Sequence, residues 1–171
     1  KPVFGLIYVP PRGVLYATRS DGGAYRAVLP PNADVPASLS EIKPERLHTR
    51  PADRARLVAF NSRTTGGASS EFLAALDVHD ARPLGSSEKF CLIAAGEGDL
   101  YARFGPTYEW DTAAGQAILE AAGGSVTTID GGAMVYGKSA ESYLNSSFVA
   151  WGGPPLLTGF RRSKPASKAG C

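Results

Sequence analysis

Apolar positions come in short runs separated by Gly, Pro and charge. Residues 3–9 read VFGLIYV, a β-rich run broken by Pro10, Pro11 and Gly13; residues 14–18, VLYAT, resume it, and Asp21-Gly22-Gly23 ends it. The spacing predicts a hairpin, or two neighbouring strands of an antiparallel sheet. Two strands do not stand alone in water, so a larger sheet is expected. No further strand signal follows for about thirty residues. Residues 29–56 carry Pro30, Pro31, Pro36, Pro44 and Pro51, with mixed charge over 41–56, and read as a surface connector at a domain boundary. The pattern then alternates. Strands are predicted at 57–60, 99–104, 125–129 and 148–151, and helices at 69–76, 87–95 and 111–122, the last stopped by Gly123-Gly124. Alternating strands and helices argue for an α/β layer on a mixed sheet. Residues 153–171 are rich in Pro, Gly, Ser and Lys and are expected to form a disordered tail. The expected division is thus 1–28, connector 29–56, α/β domain 57–152 and tail.

Composition narrows this picture. Of 171 residues 43% are hydrophobic and 20% charged, enough apolar side chain for a core. No run reaches the roughly 18 apolar residues of a membrane span. Cys91 lies in an apolar run and Cys171 is the last residue, which suits a reducing, cytoplasmic setting rather than a disulfide framework. The net charge of +2 misleads: Arg161, Arg162, Lys164 and Lys168 leave 14 basic against 16 acidic residues, or −2, before them. No basic stripe of the nucleic-acid kind remains, so no nucleic acid is expected as a partner.

Three segments could carry chemistry. Gly85-Ser86-Ser87-Glu88-Lys89 opens a helix, where free N–H groups attract anions. Lys89 in that first turn opposes the helix dipole, a conflict that a bound phosphate would remove. A plain capping serine with Lys89 in solvent fits the segment as well. In the strand 99–104, alternation puts Leu100, Ala102 and Phe104 on one face and Asp99, Tyr101 and Arg103 on the other. Arg103 ends the strand, where α/β sheets place ligand contacts, and its planar fork suits phosphate; a solvent-facing Arg is the alternative. Trp110-Asp111-Thr112-Ala113-Ala114-Gly115 starts the longest predicted helix. Asp111 there could ligate a divalent cation or simply cap the helix. The small residues after it allow close approach of another backbone. His48 and His79 read as surface residues, and Cys91 as core.

These segments, Gly-Ser-Ser-Glu-Lys-Phe, then Tyr-Ala-Arg-Phe-Gly-Pro-Thr, then Trp-Asp-Thr-Ala-Ala-Gly through Ala122-Gly-Gly, resemble the inositol monophosphatase superfamily. The likeness is closest to its 3'(2'),5'-bisphosphate nucleotidase branch, the bacterial CysQ type, and covers about the C-terminal half of such a protein. It implies a layered α/β/α/β/α fold. This chain would supply the last strands of the N-terminal antiparallel sheet and the C-terminal mixed α/β domain. The resemblance also implies roles. Asp111 falls on a metal ligand that contacts substrate. Ser86 and Lys89 fall on positions that hold the nucleotide's phosphate and ribose, and Arg103 on an arginine that reaches the nucleotide. Mg²⁺ is the implied cofactor and a small-molecule nucleotide bisphosphate the implied substrate. The protein would be cytoplasmic, free or peripheral on the inner membrane.

Two departures stand out. The family's first signature, Asp-Pro-x-Asp-Gly-Thr, and its upstream Glu do not occur in the chain. They should precede Lys1, so the missing N-terminal half is an expected partner and the chain alone is expected to be inactive. After the strand at 57–60 the nucleotidases typically carry Ser-Arg-Ser-His, whose His contacts the nucleotide; here the run is Ser62-Arg63-Thr64-Thr65. The implied reaction is Mg²⁺-dependent hydrolysis of adenosine 3',5'-bisphosphate to AMP and phosphate, a step of sulfur assimilation. An inositol or sugar monophosphatase and a non-catalytic nucleotide-binding fragment are the alternatives.

Overall fold

A computed structural model describes residues 1–32, 42–62, 67–138 and 142–160. The first two apolar runs form the expected hairpin: β1 (Leu6–Val9) pairs antiparallel with β2 (Val14–Thr18) across a tight turn at Pro10–Arg12. The sheet continues where the sequence pattern carried no signal. β2 pairs with β3 (Ala24–Val28), and β3 with the two-residue β4 (Glu45–Arg46), in the order β1-β2-β3-β4. The buried positions of β3 are Ala24 and Ala27, too small to stand out as a hydrophobic stripe.

The expected surface connector is only partly one. It contains β4, and Leu47 just after it is 3% exposed, its N–H donating to the Ala24 carbonyl. The Thr49 N–H then donates to Ala122, and the Arg50 guanidinium grips the Asp99 carboxylate with two hydrogen bonds of 3.0 and 2.7 Å.

The second sheet has the order β6-β5-β7-β9-β8. β5 (Val58–Asn61), β6 (Asp80–Pro83) and β7 (Leu100–Arg103) run parallel; β9 (Phe148–Trp151) lies antiparallel to both β7 and β8 (Ser125–Thr128). This is the mixed sheet that the alternating pattern predicts. β6 is an addition: all four of its residues are exposed, so no apolar alternation marks it.

Helices α2 (Glu88–Ala94) and α3 (Glu109–Ala121) lie between the sheets. One core joins Tyr16 and Ala24 of the first sheet, Phe90 and Ile93 of α2, Ile118 and Leu119 of α3, and Tyr101 and Phe148 of the second sheet. The opposite face of the second sheet presents Leu100, Ala102, Val149 and Trp151 to α1 (Gly67–Ala75), whose Phe72 is fully buried. The layers are therefore sheet, helix pair, sheet, helix. Alternation along β7 sorts its side chains between these two cores as predicted.

The small residues of α3 do permit a close approach. A Cβ on Gly115 would come within 2.6 Å of the Phe90 ring, and one on Gly5 would collide with the Ala114 carbonyl. The segment after Gly152, expected to be disordered from residue 153, packs at least to Phe160. Leu156, Leu157 and Phe160 lie on the α1 side of the second sheet, and the Phe160 ring meets Phe72 edge-on at 5.2 Å. Three apolar side chains spaced through a Gly/Pro-rich stretch are enough to dock it. Residues 161–171 of the expected tail lie outside the described residues.

Candidate active site

The parallel strands β5 and β7 end side by side at Asn61 and Arg103, and the turns before α2 and α3 come to the same edge. Between them lies a cavity of about 290 Å³ lined by Ser62, Ser86, Lys89, Tyr101, Arg103 and Asp111 among others. The four residues singled out in the sequence thus share one cavity, at the carboxyl edge where open α/β sheets bind ligands.

Arg103 reaches this edge because β7 alternates. Its Nη1 donates to Ser62 Oγ at 2.6 Å, its Nε to the Gly105 carbonyl at 3.1 Å and its Nη2 to the Pro106 carbonyl at 3.0 Å. The guanidinium therefore braces the turn after its own strand. Its five N–H groups exceed these three bonds, so the fork retains donor capacity.

Lys89 differs from the solvent-facing alternative: it is 3% exposed. Its Nζ donates to the carbonyls of Leu84 at 3.0 Å and Ser86 at 2.8 Å, and lies 4.6 Å from the centre of the Tyr101 ring. These carbonyls and the ring's electron-rich face offset the conflict with the dipole of α2. Lys89 also fixes the turn that holds Ser86. That serine has φ 56°, in the left-handed region that non-glycine residues seldom adopt. It is not the N-cap. Ser87 holds that position without a side-chain cap, and its hydroxyl donates instead to the Asp111 carbonyl at 2.8 Å, linking α2 to α3.

Asp111 is not the N-cap of α3 either. The helix starts at Glu109, which makes Tyr108 the cap and Asp111 its third residue. The Tyr108 N–H donates to Asp111 Oδ2 at 2.9 Å, satisfying one of the free helix-start amides. The side chain is exposed at the cavity, and the described contacts leave Oδ1 available. Beneath it Tyr101 is 4% exposed; burial pushes its phenol above the ordinary value, so it stays neutral.

Ser62, Tyr101, Thr107 and Thr112 also line the cavity and were not singled out in the sequence. Ser62 was reachable, since it follows a predicted strand at its carboxyl end. Thr107 and Thr112 flank the start of α3 with no distinguishing signal. Thr65, at the expected histidine position, lies outside the described residues. His48 and His79 are exposed, as expected. Cys91 is fully buried, and burial pushes its thiol well above the ordinary value, so it is core.

Asp111 suits a divalent cation as one ligand only. Among the described residues no group of three or more His, Cys, Asp or Glu side chains could hold a metal ion. A hard cation needs several oxygens, so Asp111 would need further ligands from outside the described residues. Among the described residues no helix is long and apolar enough to cross a membrane.

The model of the inositol monophosphatase family matches residues 1–154. The chain belongs to the inositol monophosphatase family. Within that family it is 37% identical over 148 residues to the 3'(2'),5'-bisphosphate nucleotidase CysQ of Salmonella typhimurium, covering 86% of this chain and 54% of the relative. It is 49% identical over 86 residues to an uncharacterized protein in the pss 5' region of Rhizobium leguminosarum, covering 48% of this chain and 90% of that one. Among solved structures, CysQ from Bacteroides thetaiotaomicron superposes with a TM-score of 0.74 at 36% identity, over 88% of this chain and 58% of that one. The two sheets and three helices are those of the inositol monophosphatase fold. The chain spans about half the length of the CysQ relatives it matches.

Proposed function

We propose that this chain carries the nucleotide-binding part of a Mg²⁺-dependent 3'(2'),5'-bisphosphate nucleotidase, which hydrolyses adenosine 3',5'-bisphosphate to AMP and phosphate. The observation that carries the reading is the meeting of Ser86, Lys89, Arg103 and Asp111 around one cavity. The similarity to proteins named CysQ supports the substrate class.

The chemistry follows from these groups. Arg103 brings a guanidinium whose five N–H groups exceed its three bonds to Ser62, Gly105 and Pro106, and charge-assisted hydrogen bonds from it to an anion would be strong ones. Lys89 adds positive charge from beneath the turn, and Ser86 offers a hydroxyl. Asp111 presents a carboxylate held by the Tyr108 amide. A divalent cation, when bound, neutralises the charge that develops on the transferred phosphoryl group. Asp111 would hold it together with carboxylates from the segment that matches the rest of the relatives' length.

Phosphate release from adenosine 3',5'-bisphosphate is the test, with the chain alone and with the N-terminal half of the Salmonella CysQ supplied as a second chain. We expect no Mg²⁺-dependent turnover by the chain alone and turnover by the pair. In the pair, Asp111→Asn should lose most of the rate, because it weakens a metal ligand without changing shape. Preference for an inositol monophosphate would move the reading to a sugar phosphatase. Robust, chelator-sensitive turnover by the 171 residues alone, or a normal rate for Asp111→Asn, would overturn it.

A further inference from the structure

The turn that carries Asp111 is held from outside its own helix. The side chain of Asn145, 8% exposed, sits against the start of α3. Its Nδ2 lies 2.8 Å from the Tyr108 carbonyl, 3.1 Å from Thr112 Oγ1 and 3.3 Å from Thr107 Oγ1. An amide has two N–H donors, so these three acceptors share them. Tyr108 and Thr112 stand immediately before and after the turn that bears Asp111. One side chain thus ties together both ends of that turn.

The backbone repeats the connection. The Asn145 N–H donates to the Thr107 carbonyl at 2.9 Å, the Glu109 N–H donates to the Tyr143 carbonyl at 3.0 Å, and Tyr108 and Leu144 form an isolated antiparallel bridge. The free amide of Glu109 at the helix start is therefore satisfied by the 143–145 segment. Thr112 Oγ1 is a hub: it donates to the Glu109 carbonyl at 3.2 Å and accepts from the Tyr136 hydroxyl at 3.1 Å. The first amides of a helix have no intrahelical partner and usually bond to caps or water. Here a buried, connected polar network fixes the rotation of the first turn, and with it the direction in which the Asp111 carboxylate points.

We infer that Asn145 is a positioning residue for Asp111, acting on the cation-binding turn through the Tyr108 carbonyl and the Thr112 hydroxyl without touching the substrate. The inference rests on the nucleotidase reading for its catalytic consequence and on geometry alone for its structural one.

The experiment has two arms. In the 171-residue chain, hydrogen exchange of the 108–113 amides is compared between wild type and Asn145→Leu, which keeps side-chain bulk and removes the donors. Exchange there should quicken while the amides of the β2–β3 pair stay as they were. In the enzyme completed with the N-terminal half of Salmonella CysQ, kcat should fall by roughly 10–100-fold, the range typical of lost outer partners of a metal ligand. The Mg²⁺ concentration for half activity should rise, with KM for the bisphosphate nearly constant. Thr112→Val removes the other end of the brace and serves if Asn145→Leu does not fold; it should move both readouts the same way. A completed wild-type enzyme without turnover would refute the nucleotidase reading and leave the exchange arm to decide the brace. Unchanged local exchange, a uniform loss of protection in both variants, or unchanged kcat and Mg²⁺ dependence in an active enzyme would overturn the inference.

Discussion

Glu109, the first residue of α3, ties that helix start to residues 137 and 138. It accepts from Lys138 Nζ at 2.8 Å and from the amides of Gly137 and Lys138 at 2.8 and 3.0 Å. These donors, Lys138 foremost, hold its carboxyl down at about 2, from an ordinary 4.5. A depressed acid stabilises the fold fully above its unfolded value, and the contribution fades as pH falls through the folded value. The stability difference between wild type and Glu109→Gln should therefore be constant above about pH 4.5 and shrink between there and pH 2. Thermal unfolding at several pH values reads this out, and a difference independent of pH would refute it. Gly115 sets a steric limit. Alanine gains about 1 kcal/mol over glycine in a helix interior. Here, though, its Cβ would press to 2.6 Å against the Phe90 ring on α2. Overpacking a filled core costs roughly 1–3 kcal/mol, so Gly115→Ala should lower the urea midpoint, whereas a rise would show that α2 moves aside cheaply. The sequence made Ser86, Lys89, Arg103 and Asp111 legible because each belongs to a short contiguous motif. Asn145 and Ser62 were not legible as partners of those motifs. They reach Tyr108 and Arg103 across 37 and 41 positions of chain, a distance no local pattern records.

Helices and strands with dense apolar runs, such as α3, β7 and β9, were readable within a residue or two of their ends. The exceptions have physical causes. β6 is an exposed edge strand whose place is set by pairing with β5, not by burial of its own side chains. β4 is only two residues long. The connector hid its anchor because Arg50 looks like any surface cation until it meets Asp99, whose side chain is fully buried. Asp99 also accepts the Val58 amide at 2.7 Å, so the pair stitches the connector to both β5 and β7. Removing one partner of a buried pair costs roughly 3–5 kcal/mol, because the remaining charge is left uncompensated. Arg50 is itself 39% exposed, so Arg50→Ala should fall toward the low end of that range. A loss of less than about 1 kcal/mol in denaturant unfolding, the value of an ordinary surface pair, would show that the connector is not anchored there. The docked end of the chain gives a parallel case. Phe160→Ala removes an edge-on contact with Phe72 and a second ring contact, with Phe104, at 6.0 Å. Aromatic pairs contribute about 0.5–1.5 kcal/mol each beyond area. A measurable loss of stability is therefore expected, and unchanged unfolding would restore the expectation of a loose tail from residue 153.

The first sheet carries apolar residues on both faces. Ile7, Val9, Val14 and Tyr16 point into the core shared with α2 and α3. The opposite face presents Leu6, Leu15, Ala17 and Ala27 around a cavity of about 500 Å³. Val3, Phe4, Leu6 and Val28 are more than half exposed, from 53% to 90%. An antiparallel sheet that meets water normally alternates to polar side chains on that face; here Arg19, Tyr25 and Arg26 share the cavity's lining with these apolar side chains. Among the described residues β1 pairs on one side only, so its outer edge also offers unpaired backbone groups. Apolar surface beside an open edge promotes pairing between copies. The Salmonella CysQ relative is about twice as long as the stretch matched here, and the resemblance would place its remaining half against this sheet. The 171-residue chain should therefore associate with itself as its concentration rises. Leu6→Lys should suppress this, since it puts a charge on the exposed face and leaves the inner core untouched. Supplying the N-terminal half of Salmonella CysQ should replace self-association with a one-to-one complex and protect Leu6 and Leu15 from exchange. Sedimentation velocity over a range of concentrations distinguishes these states. A chain that stays monomeric throughout, with no response to Leu6→Lys, would show that this face is stable in water and that the sheet needs no further cover.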